Sequence, residues 1–359
     1  MKLNFTMYHL KNLYIFFAIL ALIIFFFSTT KVKANAFEVK NIEISQPFKK
    51  NFNKNEVISN GFKEAFFELI NSLVKSSDLK KIDEIKLKEI KSMVDSFSIK
   101  EEKFIKQIYY VNLGVSFNKK KIFKFLEKKN IFPSQIIKET FLFIPIIIDQ
   151  DLNDLVIFSN NPIYKNWNNF SKETQLINYL LPTEDLEDMN LIKSKSDFIE
   201  DYDFDEIIQK YFLKHSIIAL IFKKDNEINV LSKINIQDNT FIKNNLFSKF
   251  NLYDENEIES FVIEIMTIYE DLWKEYNQIN TSIKLPLLIR VDNDNLNTSL
   301  EFESILDQVD LINAYSIKKF DKNYLLYKVI FNGTTTNFIN IMREKDYNFD
   351  TQKKIWILK

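Results

Sequence analysis

"TFLFIPIIID", Thr140–Asp149, is the stretch on which the fold turns, because eight apolar residues in a row separate its threonine from its aspartate. A run this short, rich in β-branched and aromatic side chains, reads as a strand that must be covered on both faces. Such a strand needs helices around it, so the segments on either side have to supply them.

Upstream, "FEVKNIEI" alternates from Phe37 to Ile44 and reads as a strand. Ile58, Phe62, Ala65, Phe66, Leu69 and Leu73 then recur at helical spacing, and "LKKIDEIKLKEIKSMV" (79–94) repeats the pattern with a lysine-rich outer face. "QIYYVNLGVSF" reads as a second strand and "NKKKIFKFLEKK" as a helix begun by Asn118. With the strand at 140–149 these elements close a first α+β domain over 37–149.

Downstream, "IFSNNPIYKNWNNF" and "LPTEDLEDMN" carry turn signals and little periodicity. Asp203 and Glu206 have capping-box spacing for a helix through Lys214, ahead of strands "SIIALIFKK" and "EINVLSKI". Asp254 and Glu257 repeat that spacing at the head of a long helix. Its apolar stripe, Ile258, Phe261, Ile265, Tyr269, Leu272 and Tyr276, is long enough to cover a sheet. These elements form a middle α/β domain over 150–280.

From 281 to 359 the order is strand "KLPLLIRV", a helix capped by Thr298 with Glu301, strands "INAYSIKKF" and "YLLYKVIF", a helix after Gly333, and "KIWILK". This is the βαββαβ order of a ferredoxin-like unit, with Asp321–Asn323 as the hairpin turn. The expected class is therefore α+β: two or three small α/β modules, the last ferredoxin-like.

Residues 1–36 read as a signal peptide. The apolar run Leu13–Phe27 makes about 22 Å of helix, short of a hydrocarbon core of about 30 Å. Lys2 and Lys11 precede it without an acid, and Ala34 and Ala36 flank Asn35 in the small-x-small pattern of a cleavage site. Lys31 and Lys33 oppose translocation, so the alternative is an uncleaved anchor. Either outcome places the body in the periplasm, free or attached to the inner membrane.

Composition narrows the chemistry. The chain carries a formal charge of −1, and removing the leader strips four lysines and no acid, so the body is acidic and no nucleic-acid partner is expected. There is no cysteine, and the body holds one histidine, His215, which removes the usual zinc sites and cysteine nucleophiles. No phosphate-cradling glycine loop is present. No cofactor, metal or catalytic residue is expected. Asp201, Asp203 and Asp205 imitate half a calcium loop, but Glu206 stands where the glycine belongs and Phe212 where the bidentate glutamate belongs.

Several stretches in order, "YYVNLGVSFNKKKIFKFL", "NPIYKNWN" with "LPTEDLEDM", "KYFLKHSIIALIF" and "VIFNGTTTNFINIMREKDYNF" with "IWILK", resemble a bacterial envelope protein family catalogued only as a domain of unknown function. The anchor positions of that resemblance are Tyr109, Pro162, Trp167, Pro182, Asp185, Asp188, Tyr211, Gly333 and Trp356. It implies an exported protein and supplies no reaction.

The expected function is noncatalytic: a module that binds another envelope protein or a cell-wall component through a groove or sheet edge. Trp167, Asp185 and Asp188 are the candidate partner-binding residues. For Trp167 the favoured reading is a structural plug under a loop, because tryptophan usually buries most of its ring. The alternatives are a hydrolase of envelope glycans using paired carboxylates such as Asp185 and Asp188, and a membrane-anchored subunit of an envelope complex. Lys119–Lys129, with six lysines and one acid, reads as an ordinary packing helix with a lysine exterior, the second reading being a helix resting on anionic lipid. His215 is expected to sit as a cation at a helix end.

Overall fold

The computed structural model describes residues 37–359 apart from Glu173, Asn226, Lys249, Phe250, Leu252, Tyr253 and 293–295. The cleavage reading of Ala34 and Ala36 lies outside the described residues. Among those residues the chain is α+β, with helices packed on three sheets.

The first sheet is antiparallel, in the order β1 (Glu38–Pro47), β3 (Ile108–Phe117), β2 (Val94–Ile105). Helix α1 (Lys54–Leu73) starts where the Asn53 side chain accepts from the Asn55 amide, and it buries Val57, Phe62, Ala65, Phe66 and Leu69 in the core it shares with this sheet. The second long helix expected over 79–94 is not formed. Two short helices, α2 (Ser76–Leu79) and α3 (Leu87–Met93), stand either side of successive turns at Lys80–Lys86, and β2 begins directly after α3. Turn hydrogen bonds from Lys81, Ile82 and Ile85 replace the helical ladder there, and strand pairing with β3 starts only at Val94. Helix α4 (Lys119–Lys128) follows β3, with Asn118 accepting from the Lys121 amide at 3.1 Å.

The second sheet runs β5 (Asp154–Val156), β4 (Glu139–Asp149), β7 (His215–Lys224), β8 (Glu227–Ile236), β9 (Asn239–Ser248), with β6 (Ile177–Leu180) also on β4. Strand β4 is buried on both faces, as its composition requires. Phe141, Phe143 and Ile147 enter one apolar cluster, and Leu142, Ile144 and Ile146 enter another. It does not complete the first sheet, however. It pairs in parallel with β7 and β6, so the boundary expected near Asp149 falls at the end of a central strand of this sheet.

Helix α8 (Glu255–Tyr276), capped by the Asp254 carboxylate, covers the first face with Ile258, Phe261, Ile265, Tyr269 and Leu272. Tyr276 at its end is exposed. The other face is covered from the segment holding α5 (Pro162–Asn166), α6 (Leu186–Ser194) and α7 (Asp205–Ile208), through Ile192, Phe204 and Ile207. The helix expected from Asp203 to Lys214 shrinks to the single turn of α7 and a following 3₁₀ turn. Phe204 at its head and Phe212 beyond it both adopt positive φ, which breaks the chain direction at each end.

The third sheet has the order β11 (Ile312–Phe320), β12 (Tyr324–Phe331), β10 (Leu285–Asp292), β14 (Ile355–Leu358), β13 (Phe349–Asp350). The β10–β14 pair is parallel and the rest are antiparallel. Helix α9 (Leu296–Gln308) joins β10 to β11, and α10 (Thr335–Arg343) begins after the Thr334 cap. Thr298 lies inside the first turn of α9 rather than capping it. Asp321 to Asn323 make the hairpin turn, the Asp321 amide donating to the Tyr324 carbonyl. The cores of the first and third sheets form one apolar cluster, and Lys119 reaches across the seam to Asp310 at 2.9 Å.

Candidate functional site

The candidate partner-binding residues Trp167, Asp185 and Asp188 lie around the second sheet, and each is engaged in holding that scaffold. Pro145 interrupts the apolar run of β4 at the gap between β6, which pairs with residues 139–142, and β5, which pairs with 147–149. Proline lacks a donor for a ladder, so a gap is where a strand tolerates it. Its carbonyl is met by the Asn161 Nδ2 at 3.0 Å. Fully buried Asn161 also accepts from the Ile163 amide at 2.8 Å, which starts α5 with Pro162 at its first turn.

Trp167, at the end of α5, is 0% exposed and stacks on Phe143 with ring centroids 3.9 Å apart. It is the plug of the middle core, and its ring offers no surface to a partner. Its Nε1 and the neighbouring Tyr179 hydroxyl are both buried without a hydrogen-bond partner among the described residues.

Asp185 caps α6 by accepting from the Glu187 amide at 2.7 Å and the Asp188 amide at 3.2 Å. The Asp188 and Glu187 amides hold its carboxyl below the ordinary range. Asp188 points inward and pairs with Lys210 at 2.5 Å, and Asp188 raises the Lys210 ammonium. A glycosidase acid needs a raised pKa, whereas one carboxylate here is a helix cap and the other an ion-pair partner. Tyr164 donates to the Pro182 carbonyl at 2.7 Å, and the Thr183 amide donates to the Tyr211 hydroxyl at 2.8 Å. Thus Pro162, Trp167, Pro182, Asp185, Asp188 and Tyr211 belong to one scaffold around β4.

His215 opens β7 instead of ending a helix. It is buried, stacks on Phe141 at 4.8 Å, and its Nδ1 accepts from the Gln237 amide at 3.3 Å. Burial lowers its pKa, so it sits as a neutral ring rather than as the expected cation.

The surface that is open to a partner was not legible in the sequence. Strand β2 is an edge of the first sheet, and every residue from Asp95 to Ile105 is exposed. Phe97 leans toward α1, 5.1 Å from Phe62, and Phe104 packs 5.0 Å from Tyr109 while remaining 59% exposed. Ile99 lies in the strand between them and is also exposed. On the opposite face Glu43, Ser45, Tyr110, Asn112, Glu101, Lys103 and Ile105 line a shallow trough across the three strands. The charges of the edge cancel locally. Glu102 pairs with Lys54 at 2.8 Å, Lys103 with Glu101 at 2.5 Å, and Lys100 donates to the Asn41 side chain at 3.0 Å. Register shifts at Val94/Ser96 and Ile99/Glu101 bend the strand along this edge.

No cluster of metal-ligating side chains and no helix long and apolar enough to cross a membrane occur among the described residues. No family model matches the chain, and no curated protein matches it. A solved structure described as "Crystal structure of uncharacterized protein" is similar at 10% identity, over 39% of this chain and 92% of that chain, with a TM-score of 0.17. That likeness is too slight to bear on fold or function.

Proposed function

We propose that this chain is a noncatalytic, exported binding module that accepts an extended segment of another envelope protein as an added strand on β2. The observation that carries the reading is the edge itself, twelve residues long, unpaired on one side among the described residues and exposed over nearly its whole length. An unpaired edge presents amide and carbonyl groups to an incoming strand, and alternate side chains supply the selectivity. Phe97, Ile99 and Phe104 would meet the guest's apolar side chains. Because Lys100, Glu101, Glu102 and Lys103 are already compensated within the chain, the guest is an uncharged, apolar segment.

Export and the resemblance to an envelope family agree with this reading, and both remain part of the proposal. The ferredoxin-like assignment of the last unit is likewise a proposal: the strand order β11-β12-β10-β14 and the two intervening helices support it, while the added strand β13 reverses the chain so that β14 runs parallel to β10, where a ferredoxin-like sheet is antiparallel.

Photoreactive residues placed singly from Asp95 to Ile105 in the full chain, and activated in cells, test the function. The expected result is adducts to one envelope protein that rise and fall with a two-residue period and disappear when Ile99→Asp is added. Absence of adducts along the edge, together with cleavage of envelope glycans by the purified chain, would reverse the conclusion in favour of a hydrolase.

A further inference from the structure

The lysine face of α4 stands where the leader would join the body. Phe37, the first described residue, is buried with its ring 5.6 Å from Phe123 of α4, and its carbonyl accepts from the Phe117 amide at 2.8 Å. Asn118, which caps α4, is the next residue after Phe117. The chain therefore enters the described body against the N-terminal turn of this helix.

That turn is unusual for a helix. Lys119, Lys120 and Lys121 occupy it with no acid, although the N-terminal end of a helix carries partial positive charge and favours carboxylates. Helix stability does not account for them. Lys119 is used at the seam with Asp310, Lys120 lies 5.7 Å over the Tyr315 ring, and Lys121 donates to the Ser92 carbonyl at 2.7 Å. Lys124 and Lys128 are exposed and have no ion-pair partner among the described residues. At 3.6 residues per turn, Lys120, Lys121, Lys124 and Lys128 fall within an arc of about 100°, opposite buried Ile122, Phe125 and Leu126. The one acid of the helix, Glu127, lies 3.6 Å from Lys284.

We infer that this face rests on anionic lipid headgroups, orienting the body with α4 toward the bilayer and the tip of the β2–β3 hairpin away from it. The inference rests on the alternative reading of residues 1–36, an uncleaved anchor, and not on the cleaved signal peptide. Strands β1 and β3 run antiparallel, so Glu38 opposite Ser116 marks the leader end and Pro47 opposite Ile108 the far end. The exposed Phe48, Phe104 and Ile105 cluster near that far end, where a periplasmic guest would approach. A lysine near an anionic surface strengthens attachment by about fivefold, and the effect fades with salt.

The test uses the full chain inserted into two kinds of vesicle, phosphatidylcholine alone and phosphatidylcholine with about one third phosphatidylglycerol. Acylation of each lysine by an amine reagent is mapped by mass spectrometry, with exposed Lys243 as the reference. On the anionic vesicles Lys124 and Lys128 should react about fivefold more slowly than on the neutral ones, and high salt should abolish the difference. In the Lys120→Gln/Lys121→Gln variant, protection of Lys124 and Lys128 should weaken. Equal reactivity on both vesicles, with the chain floating on both, would overturn the lysine-face inference while leaving the anchor reading intact. A chain that floats on neither kind of vesicle would overturn both.

Discussion

Trp167 and Phe143 stack at 3.9 Å between ring centroids and 28° between planes, with Tyr179 closing the edge of the pair at 5.2 Å from Trp167. The indole thus joins the irregular segment after α5 to the central strand β4. Trp167→Ala should destabilise the protein by about 3–5 kcal/mol through loss of a fully buried ring and the cavity left behind. Trp167→Phe should recover more than half of that, because it keeps the stack and removes an Nε1–H that has no acceptor among the described residues. Urea unfolding of the three proteins measures the order. A Trp167→Phe loss equal to that of alanine would mean that the indole nitrogen has a partner.

His215 supplies a pH dependence with a defined sign. Its folded pKa lies below the ordinary value because burial against Phe141 disfavours the charged ring. The unfolded chain takes up a proton as pH falls through about 6.5 and the folded chain does not. The stability contributed by the neutral ring is therefore present above that value and is lost as pH falls through the folded pKa. Wild type and His215→Gln should differ most steeply in their stability between pH 8 and pH 5, the glutamine protein lacking this component. Parallel stability curves over that range would show that His215 titrates alike in the folded and unfolded chain and that burial does not disfavour its charge.

The apolar run of β4, the long stripe of α8 and the strands of the last unit were legible because burial leaves a periodic trace. Membership of a sheet leaves none. The same composition of Thr140–Asp149 suits the first sheet or the second, and only the pairing with β7 decides between them. Strand β2 was hidden for the opposite reason: exposed along its length, it has no buried run, and its polar–apolar alternation covers only Ser96 to Lys100 before the register shift at Ile99/Glu101 breaks it. The "NPIYKNWN" and "LPTEDLEDM" stretches stood out by composition, but their caps, plug and ion pair serve the scaffold, and sequence spacing does not report burial.

Asp188 and Lys210 form an asymmetric ion pair, the carboxylate 3% exposed and the ammonium side chain 46% exposed. Removing the two partners should therefore have unequal effects. Lys210→Met strands a buried carboxylate and should be the more costly of the two changes. Asp188→Asn leaves a lysine that turns to water and should cost about 1 kcal/mol, the scale of a lost hydrogen bond. Equal losses in thermal or urea unfolding would mean that Asp188 is hydrated in the native protein.

Gly61 sets helix propensity against packing. It lies inside α1, where alanine is intrinsically favoured by about 1 kcal/mol. A Cβ at this position would run into the Cδ1 of Leu113 and come within 3.5 Å of Ile44. Leu113 and Ile44 are both buried in the shared core, so the methyl has no solvent side toward which to push them. Overpacking in a tight core costs about 1–3 kcal/mol, which exceeds the propensity gain. Gly61→Ala should therefore destabilise the protein, by about 1 kcal/mol net. The double change Gly61→Ala/Leu113→Val, which removes the obstructing carbon, should cost less than the sum of the two single changes. A stabilising Gly61→Ala would show that α1 can stand off from β3 and that the first sheet is held by its other helical contacts.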